Sequence, residues 1–165
     1  MKDTIEIKIA QQANLEGIIK LQSDNQVSQG GTLSGELNKN QIQEMMHDMP
    51  QIVALMNDQV VGFLLTTSKA AHHKLTVPIV NAMFESYTGT ADSYIYGPIC
   101  VSKDQRGKGL AQLMFKELIH NEPNREGVLF IRSDNEPSLR AHEKMGMHKV
   151  SSFGFNNAKF DVFAY

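Results

Sequence analysis

Ile5, Ile7 and Ile9 alternate with Glu6 and Lys8, a period of two that predicts a first strand. After Asn14 the period lengthens. Asn14 can cap a helix that carries Leu15, Ile18, Ile19 and Leu21 on its buried side. Residues 28–35 hold three glycines and read as a loop. Beyond Asn38, the positions Ile42, Met45, Met46 and Met49 fall on one face of a second helix, a stripe that reads as core. Two apolar, β-branched runs, 51–56 and 59–67, flank Asn57-Asp58 and predict a hairpin. Residues 68–92 carry a weaker pattern, in which 80–87 reads as a short helix or a lid-like segment. A strand over 93–101 follows, with Pro98 marking a bulge or an unpaired edge. A helix over about 107–120 places Leu110, Leu113, Met114 and Leu118 on one face. Residues 127–132 form a short buried strand. A helix over 136–145 ends at Gly146, in the position just past the last turn. Runs 150–155 and 158–165 close the chain as a hairpin around Asn156-Asn157. Hairpins thus alternate with two strand-helix-strand crossovers. The expected class is α+β, with a mixed, mostly antiparallel central sheet flanked by helices.

Composition narrows this little. The chain has 165 residues, 41% hydrophobic and 21% charged, which suits one domain over 1–165. No apolar run approaches the roughly 20 residues that span a bilayer, so no membrane partner is expected. The N-terminus lacks the apolar core of a secretory signal, and a cytoplasmic location is expected. Net charge is −2 with Lys and Arg scattered, whereas a nucleic-acid binder gathers its cations into a patch. No nucleic-acid partner is expected. The single cysteine, Cys100, can form neither an internal disulfide nor a thiolate zinc site. His72-His73 has no third ligand at metal spacing and reads as part of a solvated loop; no metal is expected.

The chemistry-bearing segment is Arg106-Gly107-Lys108-Gly109-Leu110-Ala111, placed where the 93–101 strand gives way to a helix. The amides of a first helical turn lack partners inside the helix, and the helix dipole makes that end positive. A phosphate group fits there. Gly107, Gly109 and Ala111 would let the backbone approach a bulky diphosphate, and Arg106 and Lys108 add charge. Taken alone the segment is equally compatible with a plain tight turn. It is neither the dinucleotide fingerprint nor a Walker A loop.

A second segment resolves that ambiguity by resemblance. Arg106, Gly109 and Ala111 match in order the [Q/R]-x-x-G-x-[G/A] signature of the GNAT superfamily of N-acetyltransferases. Asn135, Ser138, His142, Glu143, Lys144 and Gly146 are similar to its N-x-x-[S/A]-x-x-x-[Y/H]-E-K-x-G segment. The resemblance implies the acyl-coenzyme A N-acyltransferase fold, with a sheet splayed at the cofactor site. It implies acetyl-coenzyme A as co-substrate. The backbone of Ile99, Cys100 and Val101 would bond the pantetheine arm. The amides running through Arg106, Gly107, Lys108, Gly109, Leu110 and Ala111 would hold the diphosphate. Asn135, with Ser138 on the same helix, would meet the pantetheine. Lys103, Lys108, Arg140 and Lys144 are alternatives for the 3′-phosphate.

Acetyl transfer to an amine needs a proton acceptor, stabilisation of the developing oxyanion, alignment of the reactants, and a proton for the departing thiolate. Asn135, Ser138 and His142 share one helix face. Family members often carry tyrosine where this chain has His142, and that tyrosine is taken to protonate the thiolate. His142 can do the same, or can position the cofactor, or can simply pack with one hydrogen bond. An unperturbed histidine is mostly neutral at pH 7. Glu85, Asp92, Tyr94 and Tyr96 are the candidates for the base. Cys100 can be read as an acetyl acceptor, but no histidine is spaced to activate it, and a small buried apolar role is the simpler reading. The expected acceptor is a primary amine of a small molecule or peptide. Two alternatives are a non-catalytic module that binds or senses acyl-coenzyme A, and a transferase of longer acyl groups. The C-terminal aromatic hairpin packs internally or joins a homodimer.

Overall fold

The structure is a computed structural model that describes residues 4–26, 37–75 and 77–165. The glycine-rich loop expected over 28–35 lies outside these residues. Strand β1 (Ile5–Ile9) is followed by helices α1 (Leu15–Asp24) and α2 (Lys39–Asp48) and by strands β2 (Ile52–Met56) and β3 (Gln59–Ser68). Helices α3 (Lys69–Leu75) and α4 (Pro78–Ser86) come next, then strand β4 (Tyr94–Val101) and helix α5 (Leu110–Asn121). Strand β5 (Gly127–Arg132), helix α6 (Glu136–Lys144) and strands β6 (His148–Phe155) and β7 (Ala158–Ala164) complete the chain. The strands follow the order β1-β2-β3-β4-β5-β7-β6 in one mixed sheet. β4 and β5 run parallel, while β1–β2, β2–β3, β5–β7 and β6–β7 are antiparallel. The α+β class and the mixed sheet with flanking helices are as the sequence leads one to expect.

The chain divides into two compact units, each made of two segments. The first comprises residues 1–66 with Gly97–Pro123. Its core gathers Leu15, Ile18 and Leu21 of α1, Ile42 and Met45 of α2, Val53 and Leu55 of β2, and Phe63 and Leu65 of β3. The Asn57-Asp58 turn has both residues at positive φ (52° and 64°), the conformation of a two-residue hairpin turn. Asn38 caps α2 by accepting from the Gln41 amide at 2.9 Å. Asn14 behaves otherwise than expected. Its side chain accepts from the Gln11 amide at 2.8 Å, in a 3₁₀ turn over Gln12–Asn14, and makes no side-chain cap for α1. A Cβ on Gly62 would stand 3.2 Å from Met114 Cε and 3.3 Å from the Cys100 carbonyl, so glycine there permits tight packing.

The second unit comprises Thr67–Tyr96 with Asn124–Tyr165. Its core gathers Val80 and Met83 of α4, Ile95, Val128 and Val162. Phe130, Phe153 and Phe160 cluster, the last two stacked with centroids 5.3 Å apart. The segment that the sequence left open contains two helices. Pro78 occupies the first turn of α4, where its missing N–H is no loss. His72 lies on α3, is buried, and pairs through Nε2 with Asn81 Oδ1 at 2.8 Å; the solvated-loop reading fails for it because α4 covers it, while His73 is exposed. Pro98 belongs to β4 and lies beyond the register with β5, which covers Tyr94 and Ile95, in keeping with the expected break in pairing. The backbone is irregular there: Gly97 takes φ +117° and the Gly97-Pro98 peptide is cis.

Candidate functional site

In the first unit, the last residues of β4 lead into a turn. Ser102 donates its amide to the Val61 carbonyl at 2.8 Å, holding the strand end against β3. A 3₁₀ turn over Lys103–Gln105 buries Gln105. Arg106 is extended, and Gly107 and Gly109 both take φ +78°. Helix α5 therefore begins at Leu110, three residues later than expected, with Gly109 as its N-cap. Leu110, Met114 and Leu118 turn inward, four residues apart, whereas Leu113 is 46% exposed and leaves the expected stripe. A Cβ built on Gly107 or Gly109 meets nothing within 4 Å. Packing therefore does not require glycine at either place. Positive φ favours it, and the space above the turn is open to a ligand. The first amides of α5 follow directly, so the segment has the chemistry of an anion cradle.

The cations beside the turn are held by the protein. Arg106 Nε donates to the Val101 carbonyl at 3.2 Å and Nη2 to Asn25 Oδ1 at 2.7 Å. Lys108 Nζ donates to Gln105 Oε1 at 3.2 Å. Cys100 is buried, and desolvation pushes its thiol up to about 11 against a smaller downward pull from Arg106. It is a thiol, not a thiolate, at neutral pH, which favours the packing role over nucleophilic catalysis.

In the second unit, Asn135 caps α6, its Oδ1 accepting from the Ser138 amide at 3.4 Å. At the other end the Met147 amide bonds the His142 carbonyl and the Gly146 amide bonds the Glu143 carbonyl. With Gly146 at φ +94° this is a Schellman closure. Between these ends His142 is 3% exposed. Its Nδ1 lies 2.7 Å from the Ser138 carbonyl, which can only accept, so Nδ1 carries the hydrogen. Burial lowers its pKa, opposed by that backbone bond, and leaves the ring neutral at pH 7. Nε2 is then an acceptor, and the Tyr96 hydroxyl, 3.1 Å away, donates to it. Tyr96 is 4% exposed, and burial first, then Tyr94, raises its phenol pKa.

The other base candidates are placed differently. The Tyr94 hydroxyl bonds the Tyr165 hydroxyl. Glu85 is exposed on α4. Asp92 is exposed in the turn before β4, where it accepts from Thr90 Oγ1 at 3.0 Å. Arg140 pairs with Glu136 at 3.0 Å on the surface of α6. Sequence reasoning missed Glu126, which accepts from the Tyr87 hydroxyl at 2.6 Å and the Thr90 amide at 2.8 Å. Nothing in its local pattern marks it, because its partners lie 36 and 39 positions away. Asn135, Ser138 and His142 do share a face, and Tyr96 and His142 are brought together across 46 positions. Among the described residues no group of three potential metal ligands occurs, and no helix is long and apolar enough to cross a membrane.

Comparisons with known proteins bear on the family and the fold. The family model described as "Acetyltransferase (GNAT) family" matches residues 15–147. No curated protein sequence matches the chain. Among solved structures, NAA60 of Arabidopsis thaliana in complex with acetyl-CoA is similar at a TM-score of 0.74 and 16% identity, over 98% of this chain and 99% of that one. An acetyltransferase of the same family from Streptococcus pneumoniae gives 0.72 and 13% over 98% of each chain. The ribosomal-protein-S18-alanine N-acetyltransferase of Escherichia coli gives 0.69 and 11%, over 98% of this chain and 92% of that one. At these identities the likeness is one of fold.

Proposed function

The chain belongs to the acetyltransferase (GNAT) family, and on that footing we propose that it moves the acetyl group of acetyl-coenzyme A to a primary amine of a small molecule or peptide, by direct attack. The observation that carries this reading is the turn at 106–111. Two glycines at φ +78° stand with open space where side chains would be, immediately before the first amides of α5. Such a cradle suits a diphosphate. Backbone groups of Ile99, Cys100 and Val101 would bond the pantetheine amides, and Asn135 and Ser138 remain candidates for its contact.

Of the four base candidates, Tyr96 has the geometry that best suits proton transfer. Its hydroxyl donates to His142 Nε2, so its oxygen can take a proton from the amine while its own proton passes to the imidazole. The imidazolium formed can return that proton through the same hydroxyl to the departing thiolate. His142 thus carries the proton only in passing, since burial disfavours the imidazolium, and the Ser138 carbonyl fixes its tautomer. Removing such a carrier costs about 10²–10⁴-fold in rate. Tyr96→Phe and His142→Gln should each lower kcat by roughly that factor with little change in the donor KM.

The test of the activity is release of free thiol from acetyl-coenzyme A with a panel of polyamines, amino acids and peptides bearing a free α-amino group. Turnover with at least one acceptor is expected. Binding of acetyl-coenzyme A with no release on any acceptor would favour a sensing module, and faster release from propionyl or succinyl donors a longer-chain transferase.

A further inference from the structure

Arg106 stands first in the glycine turn, where a cation would be taken for a phosphate ligand. Its guanidinium is already directed elsewhere. Nη2 donates to Asn25 Oδ1 at 2.7 Å and Nε to the Val101 carbonyl at 3.2 Å. Asn25 is the C-cap of α1, is buried, and donates its own Nδ2 to the Leu21 carbonyl at 2.8 Å. Its backbone amide bonds the Gln22 carbonyl at 3.2 Å. Asn25 is thus fixed from both ends, and its one free acceptor faces the arginine. The position of the charge is also favourable, since the C-terminal end of a helix carries partial negative charge. Arg106 therefore ties three things together: the end of α1, the end of β4 and the turn that precedes α5.

We propose that Arg106 is a positioning residue, which anchors the glycine turn to the C-terminus of α1 through Asn25 and so presets the amides of 107–111 for the donor. The proposal rests on the coenzyme A reading of that turn. Gly107 and Gly109 give the turn great conformational freedom, which an unliganded chain would have to lose on binding. The arginine bridge removes part of that freedom in advance. Asn25 is neutral, and the bond by which it reaches the turn is the one to Arg106.

The experiment measures the dissociation constant of coenzyme A by calorimetry for the full chain and for Asn25→Ala, Arg106→Gln and the double variant. Circular dichroism confirms that each is folded. Asn25→Ala and Arg106→Gln should each weaken binding about tenfold, since a bond to a charged group is lost in each. The double variant should lose no more than Arg106→Gln alone. Hydrogen exchange of the 107–111 amides without ligand should quicken in all three variants, an outcome readable even if binding is too weak to measure. Two results overturn the proposal while leaving the donor reading intact: full affinity in Asn25→Ala with weak binding in Arg106→Gln, or additive losses in the double variant. Failure of the parent itself to bind coenzyme A overturns the donor reading and the proposal with it.

Discussion

At the scale of single residues, His142 sets a pH dependence of stability with a definite sign. Desolvation lowers its folded pKa beneath the unfolded value of about 6.5. Above that value both states hold a neutral ring, and the residue adds no pH dependence. Below it the unfolded chain takes a proton that the folded chain refuses, so stability falls as pH drops towards the folded pKa. His142→Gln removes that proton uptake. The parent-minus-variant difference in unfolding free energy should be flat above about pH 7 and should move against the parent on acidification; urea titrations at several pH values measure it. A difference that stays level below pH 6 would remove the buried neutral histidine from the account. Cys100 makes a second residue-scale expectation. With its thiol at about 11 and buried, it should resist alkylation at pH 7 in the native protein and react once the chain is unfolded in urea. Cys100→Ala should retain turnover.

At the scale of elements, what the sequence shows depends on how local the cause is. The hairpins at Asn57-Asp58 and Asn156-Asn157 were legible because asparagine and aspartate tolerate the positive φ that their turns demand. The end of α6 was legible for the same reason at Gly146. Helix α3 was not, because its apolar pattern is weak and its contacts are tertiary, among them the His72–Asn81 bond to α4 and the Lys69 bonds to the Thr88 and Thr90 carbonyls. The start of α5 was misjudged because a glycine-rich segment continues a helical spacing on paper. In three dimensions Gly107 and Gly109 both leave the helical region. The candidate site follows the same division. The turn and the shared face of Asn135, Ser138 and His142 could be read from spacing, whereas the Tyr96–His142 pair and the Arg106–Asn25 bridge required the fold. The Schellman closure of α6 allows a check on element stability. Gly146 takes φ +94°, so Gly146→Ala forces a Cβ into the left-handed region and should cost about 1–2 kcal/mol. Urea unfolding measures it. A neutral result would mean that the closure does not hold α6 in place.

At the scale of the whole molecule, neither compact unit is a continuous stretch of chain. Each closes from two segments, and β4 passes from one unit to the other between Tyr96 and Gly97. No linker composition marks the crossings, which is why the sequence reads as one uninterrupted domain. A ligand that binds only the folded chain stabilises it by mass action, whichever residues it touches. At a hundredfold excess over the dissociation constant that stabilisation is about 2.7 kcal/mol. For a chain of this size each kcal/mol raises the melting temperature by roughly 2–4 °C, so coenzyme A should raise it by about 5–10 °C. Gly109→Glu and Gly109→Ala separate ligand contact from backbone strain. Both place a Cβ at φ +78° and should lower the unliganded melting temperature alike. A Cβ at this position meets nothing within 4 Å, so the glutamate would extend over the open side of the turn and oppose a diphosphate. Gly109→Ala should keep most of the shift and Gly109→Glu should lose it, as differential scanning fluorimetry can report. Equal shifts in the two variants would move the diphosphate away from this turn, and with it the chemical reading of the segment from Arg106 to Ala111.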